Sequence, residues 1–254
     1  MQITVDLNAD LGEGFGESRL CEDHALLDLF SSANVACGFH AGDAMTMRDT
    51  VRAALERGVT IGAHPSYPDL PGFGRRELGL PACEIERHVE YQIRALADVC
   101  SLHGARIAYV KPHGALYNRA AWDAKVADAI VEGIKKTNPA LSLLGLPTSE
   151  MSKAAERGRI QFVNEAFIDR AYRNDGTLVP RSEPNAVIHD VQSAVQRAMM
   201  LVRMRSITAQ DGSEVRINAQ SLCVHGDNPE SVPMLRNLRA RLEAAGVIVA
   251  PFAA

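Results

Sequence analysis

The amino-acid sequence predicts a single α/β domain in which seven parallel strands, each followed by a helical stretch, close into a TIM-barrel-like (β/α) barrel. Three observations carry this. Short apolar runs alternate with longer amphipathic stretches along almost the whole chain, the pattern of successive strand–helix units. The short runs are apolar nearly throughout rather than at alternate positions, as in strands covered on both faces of a parallel sheet. Six of the seven runs also deliver an ionisable residue within a few positions of their carboxyl end. An open doubly wound sheet would gather such residues at one switch point, whereas a barrel draws them from many strands.

In chain order the strands are expected at residues 3–7, 33–37, 59–63, 106–110, 141–146, 160–163 and 221–224. Helical stretches fall between them. The first covers 20–30. The second runs from a cap at Asp43 to Leu55 and ends at Gly58. In 81–103, apolar residues at Ile85, Val89, Ile93, Leu96 and Cys100 keep a period near 3.6, and Gly104 supplies the stop. Further helices are expected over 122–136, 149–157 and 185–204, and one opens at Asn228-Pro229 and ends at Gly246. Residues 207–218, with Asp211-Gly212 at the centre, read as a peripheral β-hairpin on a two-residue turn. No repeat, low-complexity tract or Gly/Ser linker divides the 254 residues, so 1–254 is read as one domain.

Composition narrows the partners. A net charge of −4 argues against nucleic acid or an anionic membrane as a partner, since both reward a basic surface. Five cysteines are scattered without a CxxC pair, the usage of a reducing compartment in which thiols serve as small buried hydrophobes. The start MQITVDLNADLG has Asp and Asn where a signal peptide needs an apolar core, and no run is long enough to span a bilayer. These features point to a soluble cytoplasmic protein.

The polar residues at strand ends are the functional signal. Strand one runs into Asn8, Asp10 and Glu13, strand two is followed by His40 and Asp43, and strand three by His64. Strand four leads to Lys111 and His113, strand six to Glu165 and Asp169, and the last strand to His225 and Asp227. For any one strand-end histidine, holding loop backbone is as good an account as catalysis. Four histidines converging with carboxylates and a lysine favour a site. Glycine and proline flank them (GFHAG, AHP, KPHG, HGD), which suits rigid turns but is also what βα turns need anyway. The Pro/Gly-rich loop 65–80 offers Arg75 and Arg76 for a carboxylate or phosphate, and Arg170, Tyr172, Arg173 and Arg181 follow strand six. GxSxG, HExxH, strand-borne GxGxxG and GxxxxGK[ST] are all absent, which weakens serine-nucleophile, zincin, Rossmann and P-loop readings.

The segments DLNADLGEGFG (6–16), ANVACGFHAGD (33–43), GAHPSYPDLPGFGRR (62–76), VKPHGALYN (110–118), EAFIDRAY (165–172) and CVHGD (223–227) resemble the LamB/YcsF family, that of bacterial 5-oxoprolinase A subunits. The resemblance extends from the first strand to the last helix. It implies a distorted seven-stranded barrel related to the polysaccharide-deacetylase-like fold. It also implies ATP-dependent opening of 5-oxo-L-proline (pyroglutamate) to L-glutamate, performed with partner subunits B and C.

Lactam opening is amide hydrolysis, which needs an activated water, a polarised or phosphorylated carbonyl and a proton for the leaving nitrogen. The residues expected to do this work are Asp10, Glu13, His40, His64, Lys111, His113, Glu165, His225 and Asp227, with Asn8, Arg75, Arg76, Tyr117 and Arg170 binding substrate. Within that set, Asp10 or Glu165 would orient or deprotonate water and Lys111 would stabilise oxyanion or phosphate charge. His113 or His64 would protonate the amine, and Arg75 or Arg170 would hold the substrate carboxylate. With no phosphate loop here, ATP, with a divalent ion such as Mg2+, is expected mainly on the partners. A rival reading is a metal-dependent deacetylase or amidase using Asp10, His40, His64 and His113 as ligands. A third is a regulatory subunit that binds a small lactam or sugar.

Overall fold

A computed structural model of the protein describes residues 2–14, 26–224 and 231–253. Its strands are β1 (Thr4–Leu11), β2 (Ser32–Ala36), β3 (Thr60–His64), β4 (Ile107–Val110), β5 (Ser142–Gly145), β6 (Phe162–Phe167), β7 (Ser206–Thr208), β8 (Glu214–Arg216), β9 (Ser221–Cys223) and β10 (Ile248–Val249). The helices are α1 (Ala44–Glu56), α2 (Ala82–Leu102), α3 (Gly114–Ala120), α4 (Ala124–Thr137), α5 (Glu150–Gly158), α6 (Val191–Met204) and α7 (Ser231–Ala244). Strands β1 to β6 lie side by side in parallel, β9 follows β6, and β9 pairs back onto β1 through Asp6↔Ser221, Leu7↔Leu222 and Asn8↔Cys223. The sheet therefore closes as a seven-stranded parallel barrel. β10 adds to the start of β1, and the chain end brings Phe252 against the Tyr109 ring at 4.9 Å.

Local chemistry explains most boundaries. The α1 start is capped as expected, with Thr46 N donating to Asp43 Oδ1 at 2.8 Å. The buried face of α2 is the expected Ile85, Val89, Ile93, Leu96 and Cys100, plus Gln92. Four differences are instructive. β1 continues to Leu11 and β6 to Phe167, so Asn8, Asp10 and Glu165 are strand residues rather than loop residues. The expected helix over 122–136 is preceded by the short α3, and Asp123 caps the start of α4. α6 begins at Val191, capped by Asp190, while residues 170–187 fold back on themselves through the Arg170↔Val187 and Tyr172↔Leu178 bridges. The hairpin turn comprises Gln210, Asp211 and Gly212 rather than two residues, with Ala209 N donating to Ser213 O and Gly212 at φ 86°. The helix expected over 20–30 and the opening at Asn228-Pro229 fall largely or wholly outside the described residues. Of the four described cysteines, all unpaired, Cys83 is exposed, contrary to the expected burial.

The inside of the barrel is polar. Odd-numbered β1 residues (Val5, Leu7, Ala9, Leu11) belong to the main apolar core, while Asp6, Asn8 and Asp10 join side chains from other strands. Asp6 Oδ1 accepts from Ser31 Oγ at 2.6 Å and Ser32 Oγ at 2.7 Å, and its second oxygen accepts from Ser221 Oγ. Tyr109 fills the centre and donates to Asn34 Oδ1 at 2.7 Å. Gly62 makes that possible, because a Cβ there would stand 2.2 Å from a Tyr109 ring carbon.

This interior sets two expectations for stability. Gly62→Ala should cost about 1–3 kcal/mol through overpacking, read as a lowered urea midpoint; an unchanged midpoint would show that the ring can move aside. Burial pushes the Asp6 carboxyl up from 3.8 to about 6 despite its three serine donors. The unfolded carboxyl therefore ionises first, and stability falls as pH rises from 4 to 6 by about 3 kcal/mol. The wild-type advantage over Asp6→Asn should shrink by that amount across this window and stay level above it. A difference that does not vary with pH would refute the assignment.

Candidate active site

The carboxyl ends of the strands open onto a cavity of about 350 Å³, a volume suited to a small metabolite. Asp10, Glu13, His64, Lys111, His113 and Tyr117 line it, together with the guanidinium groups of Arg75, Arg170 and Arg181. The 65–80 loop is held in place by Gln92, whose side chain accepts from Ser66 N at 2.9 Å and donates to Ser66 O at 2.8 Å. Gly74 lets this loop run close over the site: at φ +63° it admits no side chain, and a Cβ would lie 2.8 Å from His40 and 2.9 Å from His113.

Lys111 is the buried cation at the bottom. Its Nζ lies 2.8 Å from Glu165 Oε1 and 3.1 Å from Asp10 Oδ1, and donates to Asn8 Oδ1 at 3.2 Å and Cys223 Sγ at 3.1 Å. Burial disfavours its charge, but Asp10, Cys223 and Glu165 outweigh this and hold the ammonium well above its ordinary pKa. Burial also raises the Cys223 thiol, so its sulfur accepts as a neutral group. Lys111 is thus a fixed positive charge, unsuited to act as a base. Tyr117 donates to the other Glu165 oxygen at 2.9 Å.

Three histidines and Glu13 form the second half. His64 Nδ1 lies 2.6 Å from Lys111 O, and His113 Nε2 lies 2.9 Å from Phe73 O. A carbonyl can only accept, so these two ring nitrogens carry the protons. The remaining nitrogens, His64 Nε2 and His113 Nδ1, then present lone pairs to each other at 3.0 Å. Two lone pairs at that distance require a proton or a cation between them. Glu13 Oε1 sits 2.9 Å from His40 Nε2, 3.2 Å from His113 Nδ1 and 3.8 Å from His64 Nε2. His40 stacks on His113 at 3.9 Å, and its buried Nδ1 has no partner among the described residues.

The protonation states fit this arrangement. Burial, helped by His113, pushes His40 down to about 4, so it is neutral at ordinary pH. Burial works against charge on His64, but Asp10 and Glu13 overcome it and raise the value. Burial likewise opposes ionisation of Glu13, yet the His113 and His40 bonds hold its carboxyl well below the usual range. The ligand atoms of Glu13, His40, His64 and His113 lie within 4.8 Å of one another. This N/O donor set, with backbone carbonyls fixing two tautomers, fits a divalent ion such as zinc or manganese.

Not every expected site residue reaches the cavity. Asn8 lies beneath Lys111, bonded also to Ser221 and Asn34, and Glu165 and His40 stand behind Lys111 and His113. Asp43 caps α1. Arg76 is not among the lining residues; Asp69 binds its guanidinium, which corrects the expectation that it holds substrate. His225 and Asp227 lie outside the described residues. The sequence reading missed Asn34, Tyr109, Gln92, Phe73 and Cys223. They carried no strand-end signal of their own, although Asn34, Phe73 and Cys223 lie within the segments 33–43, 62–76 and 223–227 that carry the family resemblance.

A closed parallel barrel with carboxylate, imidazole and ammonium groups converging at its carboxyl end is the layout of an α/β-barrel enzyme. The chain belongs to the LamB/YcsF family, whose pattern matches residues 5–254. It is 51% identical over 249 residues to the 5-oxoprolinase A subunit of Streptomyces avermitilis, covering 98% of this chain and 100% of that one. It superimposes on the crystal structure of a lactam utilization protein from Thermus thermophilus with a TM-score of 0.91 and 42% identity, covering 98% and 100% of the two chains. The catalytic domain of a peptidoglycan N-acetylglucosamine deacetylase from Eubacterium rectale shares the fold alone, at TM-score 0.54 and 10% identity, covering 100% of this chain and 90% of that one. No described helix is long and apolar enough to cross a membrane.

If the four-residue cluster holds a divalent ion, His64→Ala and His113→Ala should each weaken zinc or manganese binding by 10-fold or more, about the effect of losing one ligand or its support. Calorimetric titration of protein purified without affinity-tag metal reads this, and equal affinity in both variants and wild type would reject the site.

Proposed function

We propose that this chain is the ring-opening component of an ATP-dependent 5-oxoprolinase, converting 5-oxo-L-proline to L-glutamate together with partner subunits B and C. The observation that carries the reading is the pairing of a fixed ammonium, Lys111, with acidic and imidazole groups in one small cavity, in a chain 51% identical to a 5-oxoprolinase A subunit.

Hydrolysis of the lactam consumes one water: its oxygen joins the carbonyl carbon, the C–N bond breaks, and the nitrogen gains a proton. Asp10 and Glu13 line the cavity and are the carboxylates available to orient that water. Glu165, engaged by Lys111 and Tyr117, instead holds the lysine in place. Lys111 stabilises negative charge on the former carbonyl oxygen, a role that needs a preorganised donor. His113 and His64 are the imidazoles facing the cavity, able to hand a proton to the leaving amine. Arg75 and Arg170 are placed to hold the substrate carboxylate.

Lactam opening at neutral pH gains from coupling to ATP cleavage, which consumes a second water. The sequence has no phosphate loop, which supports nucleotide chemistry, with Mg2+, on the partners. A divalent ion held by Glu13, His40, His64 and His113 would polarise a carbonyl or lower the pKa of a bound water. That also favours the second reading, a metal-dependent amidase acting without ATP.

The deciding assay measures glutamate formation and ATP cleavage from 5-oxoproline with and without subunits B and C. The complex should be active, and Lys111→Ala should lose about 10²–10³ in glutamate formation. Full turnover by the chain alone would end the division of labour. Loss of activity on chelation in the absence of ATP would favour the amidase.

A further inference from the structure

Inside the barrel, a chain of buried hydrogen bonds runs from Asp6 to Lys111 through residues that do not line the cavity. Asp6, Asn8, Asn34, Tyr109 and Ser221 are all fully buried. Both Asp6 oxygens accept, Oδ1 from Ser31 and Ser32 and Oδ2 from Ser221 Oγ. Ser221 Oγ in turn accepts from Asn8 Nδ2 at 2.7 Å, and Asn8 Oδ1 accepts from Lys111 Nζ at 3.2 Å. A second branch starts at Tyr109, which donates to Asn34 Oδ1. Asn34 Nδ2 then donates to Asn8 Oδ1 at 2.7 Å and to Asp10 Oδ1 at 2.8 Å. Asp6 forms no ion pair among the described residues, and burial pushes its carboxyl up to about 6. A buried anion without a cation costs stability once ionised, so stability does not account for its presence.

The donor and acceptor order along this chain is set from the Asp6 end. An ionised carboxylate can only accept. Ser221 therefore spends its one proton on Asp6 and has only lone pairs left for Asn8. The Asn8 amide must then turn its NH2 to Ser221 and its carbonyl to Lys111. Turned the other way, the NH2 would face the Lys111 ammonium and the Asn34 NH2, and the carbonyl would face a hydroxyl with no proton to give. Each of these mismatches would leave a buried polar group unsatisfied. Tyr109 does the same for Asn34, because burial raises its phenol well above the ordinary value and keeps the proton on it.

We infer that Asp6 is a positioning residue for Lys111: acting through Ser221, it fixes the direction of the Asn8 amide, whose carbonyl holds the ammonium in place. The orientation follows from hydrogen bonding alone. Its consequence for turnover rests on the ring-opening reading, in which Lys111 meets negative charge on the former carbonyl oxygen. Asn8 supplies the neutral oxygen among the acceptors of Nζ, beside Asp10, Glu165 and the Cys223 sulfur. An amide free to turn would present its NH2 to Nζ and push the charge away from β1. A displaced catalytic charge is felt in the rate more than in substrate binding.

Nuclear magnetic resonance of the full chain tests the orientation apart from turnover. Every lysine of the sequence lies among the described residues, and Lys111 alone is buried. Its ammonium should therefore give the one proton–nitrogen signal protected from exchange with water, recorded above pH 7 where Asp6 is ionised. Ser221→Ala and Asp6→Ala should each abolish that signal, and either variant suffices if the other folds poorly. Ser32→Ala takes a donor from the same carboxylate but leaves the path to Asn8 intact, so the signal should persist. In the complex with subunits B and C, Ser221→Ala should lower kcat for glutamate formation about tenfold or more, with KM for 5-oxoproline unchanged. Asp6→Ala should do likewise, and combining the two should lower kcat no further, because the path is already cut. A protected signal that survives both variants would overturn the proposal. So would a signal absent from the wild type or lost equally in Ser32→Ala, or kcat losses that add in the double variant. A wild-type complex that forms no glutamate, with the signal lost as described, would instead count against the ring-opening reading alone.

Discussion

The barrel depends on one buried charge. Lys111 is 2% exposed, and an ammonium ion in that position would be prohibitively costly without partners. Its partners come from strands that are not its neighbours: Asn8 and Asp10 from β1, Glu165 from β6 and Cys223 from β9. These contacts cross the inside of the barrel, so the charge can be satisfied only when the sheet has closed. The same atoms that compensate the lysine also define the bottom of the cavity. Closure and site assembly are therefore one event, and the polar interior is a consequence of it. Asp6 repeats the logic lower down, joining serines that flank or belong to β2 and β9.

A second constraint acts through backbone carbonyls rather than charge. His64 and His113 are oriented by the carbonyls of Lys111 and Phe73, and the second lies on the 65–80 loop. Phe73 reaches that position in a left-handed conformation, φ 53°, which a bulky residue adopts only when its surroundings hold it there. Gln92 on α2 and the missing side chain at Gly74 supply that hold. A loop rich in proline and glycine thus acts as a rigid strap that decides which nitrogen of His113 faces the cavity.

Much of this was legible in the sequence because barrel strands and their ends announce themselves chemically. Apolar runs located all seven barrel strands, and Asp10, His64, Lys111 and His113 stood out because ionisable groups are rare next to such runs. The reading was poorer where a residue's role depends on a partner distant in sequence. Arg76 resembles Arg75 on paper, but Asp69 binds it and it leaves the site. Glu165 looks like a base, but Lys111 and Tyr117 engage both of its oxygens. Gln92 sits at a position of helical period where an apolar residue would be expected, and only the position of Ser66 explains it. Strand ends were misjudged for a related reason: a polar residue inside a barrel reads as the end of a strand when it is the strand's inner face.

The cavity that results is bipolar, lined by carboxylates and imidazoles and also by guanidinium groups. These two halves have different origins in the fold. The carboxylate and imidazole half comes from the strand ends and the residues that directly follow them, and is fixed by closure. The guanidinium half comes from the 65–80 loop and from the fold-back of residues 170–187, both of which are additions to the strand–helix repeat. An amide-opening reaction needs both parts: charge to seat an anionic substrate, and proton-transfer groups that water can share. Because Arg170 pins the segment bearing Arg181 while Glu165 on the adjoining β6 pins Lys111, a single strand and the residues that follow it link the two halves. The spacing between Arg170 and the Lys111–Glu165 pair is consequently set in part by the backbone of 165–170, the shortest covalent path from Glu165 to Arg170.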